Sequence, residues 1–147
     1  MTVAEEVIEG FKMTEIGLLP EDWDTVKVGT VFEFSKKPRS LEIKNTEIIP
    51  FIPMEFISDD NKAIRGWQTK RFSEISSGTF VFKNDLIIAK ITPSFENGKQ
   101  AILNNLPKDF GYATTEVWVM HPKDDKVHSD FFFNLIRIPS IRNGLAQ

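Results

Sequence analysis

Lys90-Ile91-Thr92-Pro93-Ser94-Phe95-Glu96-Asn97-Gly98-Lys99-Gln100-Ala101 sets two lysines around two hydroxyls, an aromatic ring, a carboxylate and two amides. No single reaction calls for that mixture, but a surface that reads a polar polymer does. Lysine neutralises phosphate, while Asn, Gln, Ser, Thr and Glu can hydrogen-bond to base edges. Lys90, Thr92, Ser94, Asn97, Lys99 and Gln100 are therefore the first candidates for contact with DNA. Tyr112, Thr114 and Thr115, with Glu116, form a second group just ahead of an apolar run. A third lies in residues 61–71, where Lys62, Arg65, Lys70 and Arg71 occur with no acid, accompanied by Gln68 and by Trp67, which could stack or pack. Lys36, Lys37 and Arg39 make a similar acid-free cluster in residues 35–40. Local basic patches are what phosphate contact requires. Each group also has a plainer reading. Thr92 and Ser94 can cap a turn, Asn97-Gly98 suits a hairpin by geometry alone, and Thr114-Thr115 are good strand formers. Glu96 can accept from a cytosine amino group or simply neutralise Lys99, and the basic clusters can be solvated loops.

Catalysis is poorly served by the same chain. It has no G-x-G-x-x-G or G-x-x-x-x-G-K loop to cradle phosphate and no G-x-S-x-G elbow. The Asn-Pro-Pro-aromatic and Asp-Pro-Pro-aromatic signatures of adenine methyl transfer are absent too. Zero cysteines remove disulfides, thiolate catalysis and cysteine-ligated zinc together. A metal-dependent nuclease wants carboxylates around magnesium and a lysine beside the attacking water. The minimal acid-x-lysine spacing occurs at Glu42 and Lys44, at Asp60 and Lys62, and at Asp124 and Lys126, none of them in a strong strand. With 21 acids and 18 bases such spacings arise by chance. His121 and His128 flank a charged loop and read as exposed loop histidines, although zinc or proton-shuttle roles are open to them in principle.

The elements that must position these residues are mostly strands. Residues 79–82 and 86–91 are rich in Phe, Val and Ile, with Asp85 at the turn between them. Residues 99–103 return after Asn97-Gly98, a pair suited to a hairpin, and Pro93 ends the first arm, so 92–98 projects as a loop. Residues 47–52 predict a strand that Pro50 confines to an edge. Residues 115–121 predict a strand buried on both faces. Residues 26–34 fit either a short helix or a strand, and 16–23, with Gly17 and Pro20, predict an irregular lead-in whose Trp23 packs in the core. Thr2-Val3-Ala4-Glu5 matches a capping box for a short helix over 3–8, stopped by Gly10. Ser129-Asp130 predicts the cap of a helix through Phe131, Phe132, Leu135 and Ile136, broken near Pro139, with one further turn in 140–146. Three consecutive phenylalanines, Phe131 to Phe133, cannot share one helix side, so at least one points outward. There is no internal repeat. The fold class expected is α+β, a sheet-rich globular body with a short helix near the C-terminus.

A 147-residue chain suits one domain with its own core, and 41% hydrophobic with 27% charged residues predicts folding rather than disorder. Apolar runs are too short for a transmembrane helix, and the acidic start does not suit a secretory signal, so no membrane is expected among the partners. The net charge of -3 argues against a uniformly basic DNA binder. Residues 1–24, however, hold seven acids and one base, a net of -6, which leaves +3 on the remainder. The chain accordingly divides into an acidic lead-in, 1–24, and a domain, 25–147.

Three blocks of this sequence are similar to one known family. Ile88-Ala89-Lys90-Ile91-Thr92-Pro93-Ser94-Phe95-Glu96-Asn97-Gly98-Lys99 resembles the central block of target recognition domains in type I restriction–modification specificity subunits. Met13-Thr14-Glu15-Ile16-Gly17-Leu18-Leu19-Pro20-Glu21-Asp22-Trp23 resembles their lead-in, and Gly111-Tyr112-Ala113-Thr114-Thr115-Glu116-Val117-Trp118-Val119-Met120 the strand entry that follows. The resemblance implies a non-catalytic reader of one half of a bipartite site in double-stranded DNA. It implies a modification (methyltransferase) subunit and a restriction subunit as partners, with S-adenosylmethionine, magnesium and ATP held only by them. It also implies residence in the prokaryotic cytoplasm, at the nucleoid when in complex. A block shared by domains with different targets should be scaffold, which makes Pro93, Phe95 and Gly98 structural and shifts specificity toward 61–71. A complete subunit of this family carries two such domains joined by long helices. Ending at Gln147, this chain is expected to be a fragment, a truncated product, or a half-subunit that pairs as a homodimer. A protein-interaction module that uses the Phe131–Phe133 surface and no DNA is the remaining alternative.

Overall fold

The computed structural model describes residues 9–14, 17–21, 32–90, 98–124 and 128–138, with the backbone alone at 13–14 and 17–20. Ten strands are described: β1 (Phe11–Thr14), β2 (Gly17–Pro20), β3 (Phe32–Phe34), β4 (Ile48–Ile52), β5 (Gln68–Arg71), β6 (Thr79–Phe82), β7 (Leu86–Ala89), β8 (Gln100–Ile102), β9 (Phe110–Ala113) and β10 (Val117–Pro122). One α-helix follows them, α1 (Ser129–Leu135). The expected α+β, sheet-rich body with a short C-terminal helix is the fold observed.

Two four-stranded sheets stack face to face. The first has the order β3-β10-β7-β8, the second β5-β4-β9-β6. Strand alternation sorts the side chains into layers. Ile87, Ala101, Val117 and Val119 of the first sheet meet Ile52, Val81 and Ala113 of the second in the central core. The opposite face of the first sheet, with Leu86, Ile88 and Ile102, packs on Phe132, Phe133 and Ile136 of and beside α1. β7 therefore lies between two apolar layers, and all four of its residues are buried. That is why its sequence is an unbroken apolar run rather than an alternating one. The outer face of the second sheet carries Ile49, Phe80 and Phe110, screened by Leu41, Ile43, Phe72 and Ile75. Burial of each such large side chain contributes about 1.5–3 kcal/mol.

The central hairpin expected from Asn97-Gly98 is present: β7 and β8 pair antiparallel, Leu86 with Ile102 and Ile88 with Gln100. Gly98 has φ +80°, the left-handed conformation that glycine adopts without steric cost. Residues 92–97, including Thr92, Ser94 and Asn97, lie outside the described residues. β10 carries Val117 and Val119 into the central core and turns Trp118 and Met120 toward the helix layer, so both its faces are packed as expected.

Three expectations need correction. Pro50 does not sit in an edge strand, because β4 lies between β5 and β9. The parallel pairing to β9 begins at Phe51 with Tyr112, one residue past the nitrogen that has no proton to donate. The strand thus takes an interior place by starting its second ladder late. Residues 17–20 are not irregular: β1 and β2 form an antiparallel hairpin, Phe11 opposite Pro20 and Thr14 opposite Gly17. Pro20 falls at the end of that ladder, where a missing donor costs least. The residue capping α1 is His128, with no side-chain hydrogen bond, so Ser129-Asp130 forms the first turn rather than the cap. Phe132 and Phe133 are buried and Phe131 is 55% exposed, as three adjacent rings on a helix require. The expected helix over 3–8, Trp23, residues 26–31, Pro139 and residues 140–146 lie outside the described residues.

Candidate nucleic-acid interface

Backbone hydrogen bonds bring several predicted residues to one end of the sandwich. The Lys90 amide donates to the Glu116 carbonyl at 3.0 Å, joining the exit of β7 to the β9–β10 turn. Ala89 N–H donates to the Lys99 carbonyl at 3.0 Å, closing the base of the central loop. Thr114 N–H donates to the Ile52 carbonyl at 2.9 Å, and the Thr79 hydroxyl donates to the Thr114 carbonyl at 3.2 Å. The exits of β4, β7 and β9 and the entries of β6 and β8 thus meet at the same edge. Lys90 and Thr115 are exposed there, with Lys99 half-buried beside them. The Thr114 hydroxyl also accepts the Glu116 amide at 3.3 Å, so Thr114 shapes the turn that presents Thr115.

The third predicted group divides. Gln68, Phe51, Tyr112 and Phe80 form one row across the second sheet. Lys70 lies on the same face, its Nζ 4.5 Å above the Phe51 ring, a cation–π contact. Tyr112 is half-buried among Phe72 and Phe80, and burial raises its phenol above the usual tyrosine range. Trp67 packs partly buried against the central core. Arg71 is exposed at the far end of β5, its amide donating to Glu74 Oε1 at 2.9 Å.

Residues 58–65 form a loop beside β8. Its Ser58 and Lys62 carbonyls accept from the amides of Gln100 and Ile102, at 3.3 and 2.9 Å. The acid-free window read from the sequence gains acids in three dimensions. Lys62 Nζ pairs with Asp130 Oδ1 of α1 at 2.7 Å, and Arg65 pairs loosely with Asp60 at 3.9 Å. The Ser58 hydroxyl donates to Asp60, which lowers that carboxyl below its usual range, and Arg65 and Arg137 add to the effect.

Two predictions fare differently. Gln100 is fully buried, and its Nε2 donates to the Phe133 carbonyl of α1 at 2.7 Å. It fastens the base of the central loop to the helix layer and cannot read a base edge, which corrects its place among the candidate contacts. Gln100→Ala is expected to lower stability by about 1–3 kcal/mol through the orphaned carbonyl, leaving sequence preference unchanged. Urea unfolding and a binding panel on several duplexes would check this.

Lys36, Lys37 and Arg39 are exposed but lie at the opposite end of β7 from Lys90. The preceding Ser35 hydroxyl donates to Asp85, and Lys36 lines a cleft of about 500 Å³ with Glu33, Phe34, Phe82 and His121. His121 is not a loop residue but part of β10. Its Nδ1 lies 2.6 Å from Asp85 Oδ1. Asp85 is fully buried and also accepts the Phe82 amide at 2.8 Å. Desolvation raises its carboxyl above the usual range, against the lowering effect of Ser35, Phe82 and His121. The sequence places Asp85 at a turn but gives no sign of partners 50 and 36 residues away. Among the described residues, no three His, Asp or Glu side chains come together as a metal site.

The described residues thus form a two-sheet sandwich with one helix layer and a polar end built from strand exits and loops. Residues 20–142 match the family described as the type I restriction modification DNA specificity domain, and the chain belongs to that family. It is 31% identical over 132 residues to the type I restriction enzyme EcoAI specificity subunit of Escherichia coli, covering 88% of this chain and 22% of that protein. It is 30% identical over 123 residues to the EcoEI specificity subunit of the same organism, covering 82% and 20%. The chain therefore spans about a fifth of the length of these relatives. The fold is shared with the HsdS subunit from Thermoanaerobacter tengcongensis, with TM-score 0.66 and 18% identity over 85% of this chain and 32% of that one. A chain from a structure of the type I R-M system, solved for its assembly and conformational transition, gives TM-score 0.63 and 17% identity, covering 81% and 30%.

Proposed function

We propose that this domain reads one half of a bipartite target in double-stranded DNA for a type I restriction–modification complex, and performs no chemistry itself. The observation that carries the reading is the single edge on which Lys90, Lys99 and Thr115 converge, flanked by the Arg65 loop and built on the fold of this family. Lys90 and Arg65 supply phosphate contacts that set position. Thr115, Gln68 and the central loop supply hydrogen-bonding groups able to distinguish bases. The modification and restriction subunits are the protein partners, and they hold S-adenosylmethionine, magnesium and ATP. The place of action is the prokaryotic cytoplasm; among the described residues no helix is long and apolar enough to cross a membrane.

Selection from random duplex DNA, run with the domain alone and again with a modification subunit, tests this. A short enriched motif in either run supports reading by this domain, and enrichment only with the partner assigns it to the assembled complex. No enrichment in either run overturns the proposal and brings forward protein interaction through the exposed Phe131 ring. Lys90→Ala and Arg65→Ala are expected to weaken all duplexes alike and each to flatten the salt dependence by about one unit. A change of preferred sequence in either variant would assign that side chain to base reading instead.

A further inference from the structure

The loop of residues 58–65 is clamped between β8 and α1. On the sheet side, the Ser58 and Lys62 carbonyls accept from β8. On the helix side, Arg137 donates to the Asp59 carbonyl at 2.5 Å, and Lys62 meets Asp130 at 2.7 Å. Both ends of the Lys62–Asp130 pair are thus anchored. The Lys62 backbone is fixed by Ile102, and α1 is fixed by Gln100, by Arg137 and by the burial of Phe132 and Phe133. An exposed ion pair usually gains little because two long side chains must be ordered for it. Here part of that ordering is already supplied by the fold.

Resting on the DNA-reading proposal, we propose that Asp130 is an internal counter-ion which DNA phosphate must displace from Lys62. The carboxylate occupies the position that a phosphate oxygen takes when duplex arrives. Lys62 and Asp130 are 43% and 67% exposed, so the pair is accessible to the competing anion. Two consequences follow. The exchange lowers affinity for every duplex by the same factor, because phosphate carries no sequence information. It also makes the N-terminal turn of α1 sensitive to DNA, since binding releases Asp130 from its partner. Salt screens the Lys62–Asp130 pair as well as the phosphate contact, so the competition weakens as salt rises and the salt dependence of the wild type is flattened.

The test is a double-mutant cycle of Asp130→Asn and Lys62→Ala, with affinity measured for target and random duplex across a salt series. Asp130→Asn is expected to tighten both duplexes by about two- to five-fold at low salt and to steepen the salt dependence by less than about one unit. In the Lys62→Ala background the gain should vanish. Glu74→Gln, which removes a distant exposed charge, controls for net charge, and thermal melts confirm that each variant folds. Unchanged affinity in Asp130→Asn, or a gain that persists without Lys62 or is matched by Glu74→Gln, overturns the proposal while leaving DNA reading intact. Absence of DNA binding by the wild type, alone and with a modification subunit, overturns the DNA reading and this inference with it.

Discussion

Asp85→Ala is expected to lower the unfolding free energy by about 3–5 kcal/mol, the cost of breaking a buried, hydrogen-bonded charged site by removing one partner. The loss leaves three donors facing a void: the Ser35 hydroxyl, the Phe82 amide and the His121 ring. Those groups come from the end of β6, the exit of β3 and β10, so one carboxylate joins both sheets at their corner. With total stabilities of about 5–15 kcal/mol for such domains, the variant should sit near the edge of folding. Asp85→Asn keeps the volume and some of the bonds and should cost less. The wild type and Asp85→Asn should also differ in pH response. Desolvation raises the folded carboxyl above its ordinary value of 3.8. Just above that value the native state retains a proton that the unfolded chain has released, so the wild type gains stability relative to Asp85→Asn as pH falls through the window. Urea midpoints at neutral pH and just above pH 3.8 would measure it. A relative gain in the opposite direction would show that the three hydrogen bonds outweigh desolvation.

Gly111→Ala should be the second costly change. A Cβ built at Gly111 would lie 2.7 Å from the Pro50 carbonyl oxygen and 3.0 Å from Pro50 Cγ. The first of these is a backbone atom in an interior strand and cannot swing aside. The substitution must push β9 away from β4 where their parallel ladder begins, at an expected cost of about 1–3 kcal/mol, the usual range for overpacking. Thermal or urea unfolding of Gly111→Ala beside Gly66→Ala separates the local clash from a general effect of losing glycine. Gly66 has nothing within 4 Å of its Cβ position. Equal midpoints for the two variants would mean that the close approach at Pro50 relaxes without cost.

The contrast between Pro50 and β7 explains how much of the fold was legible. Local apolar runs gave β6, β7, β10 and α1 because their burial is written in consecutive residues, and Asn97-Gly98 gave the β7–β8 hairpin because turn chemistry is local. Pro50 was misplaced because a proline forbids one hydrogen bond, not a strand position. Whether that bond is needed depends on β9, about sixty residues away in the chain. The β1–β2 hairpin escaped for a related reason: Gly17 and Pro20 read as breakers until their positions at the ladder ends are known. The site was legible to a similar degree. The residue types of the candidate groups were readable, but that Lys90, Lys99 and Thr115 lie at one edge follows from backbone pairings that their separate blocks do not state. Composition could not reveal that Gln100 faces inward, that Asp130 finds Lys62, or that Lys36 to Arg39 sit at the other end of β7, since each depends on pairings between distant segments.

The two sheet orders carry a consequence for how the chain is made. β9 and β10, adjacent and late in sequence, each occupy an interior place, one in each sheet. Before they emerge during synthesis, β3 has no neighbour in its sheet and β6 none in its own. Within the two four-stranded sheets the earlier strands can form only the β4–β5 and β7–β8 pairs, which are two-stranded and marginal in water. Both sheets therefore close together, once the chain through Pro122 is available, and the non-local ladders β3–β10 and β4–β9 should make that closure slow. Until then the apolar face of β7 stays uncovered, which gives this small domain an aggregation-prone interval before it can bind anything.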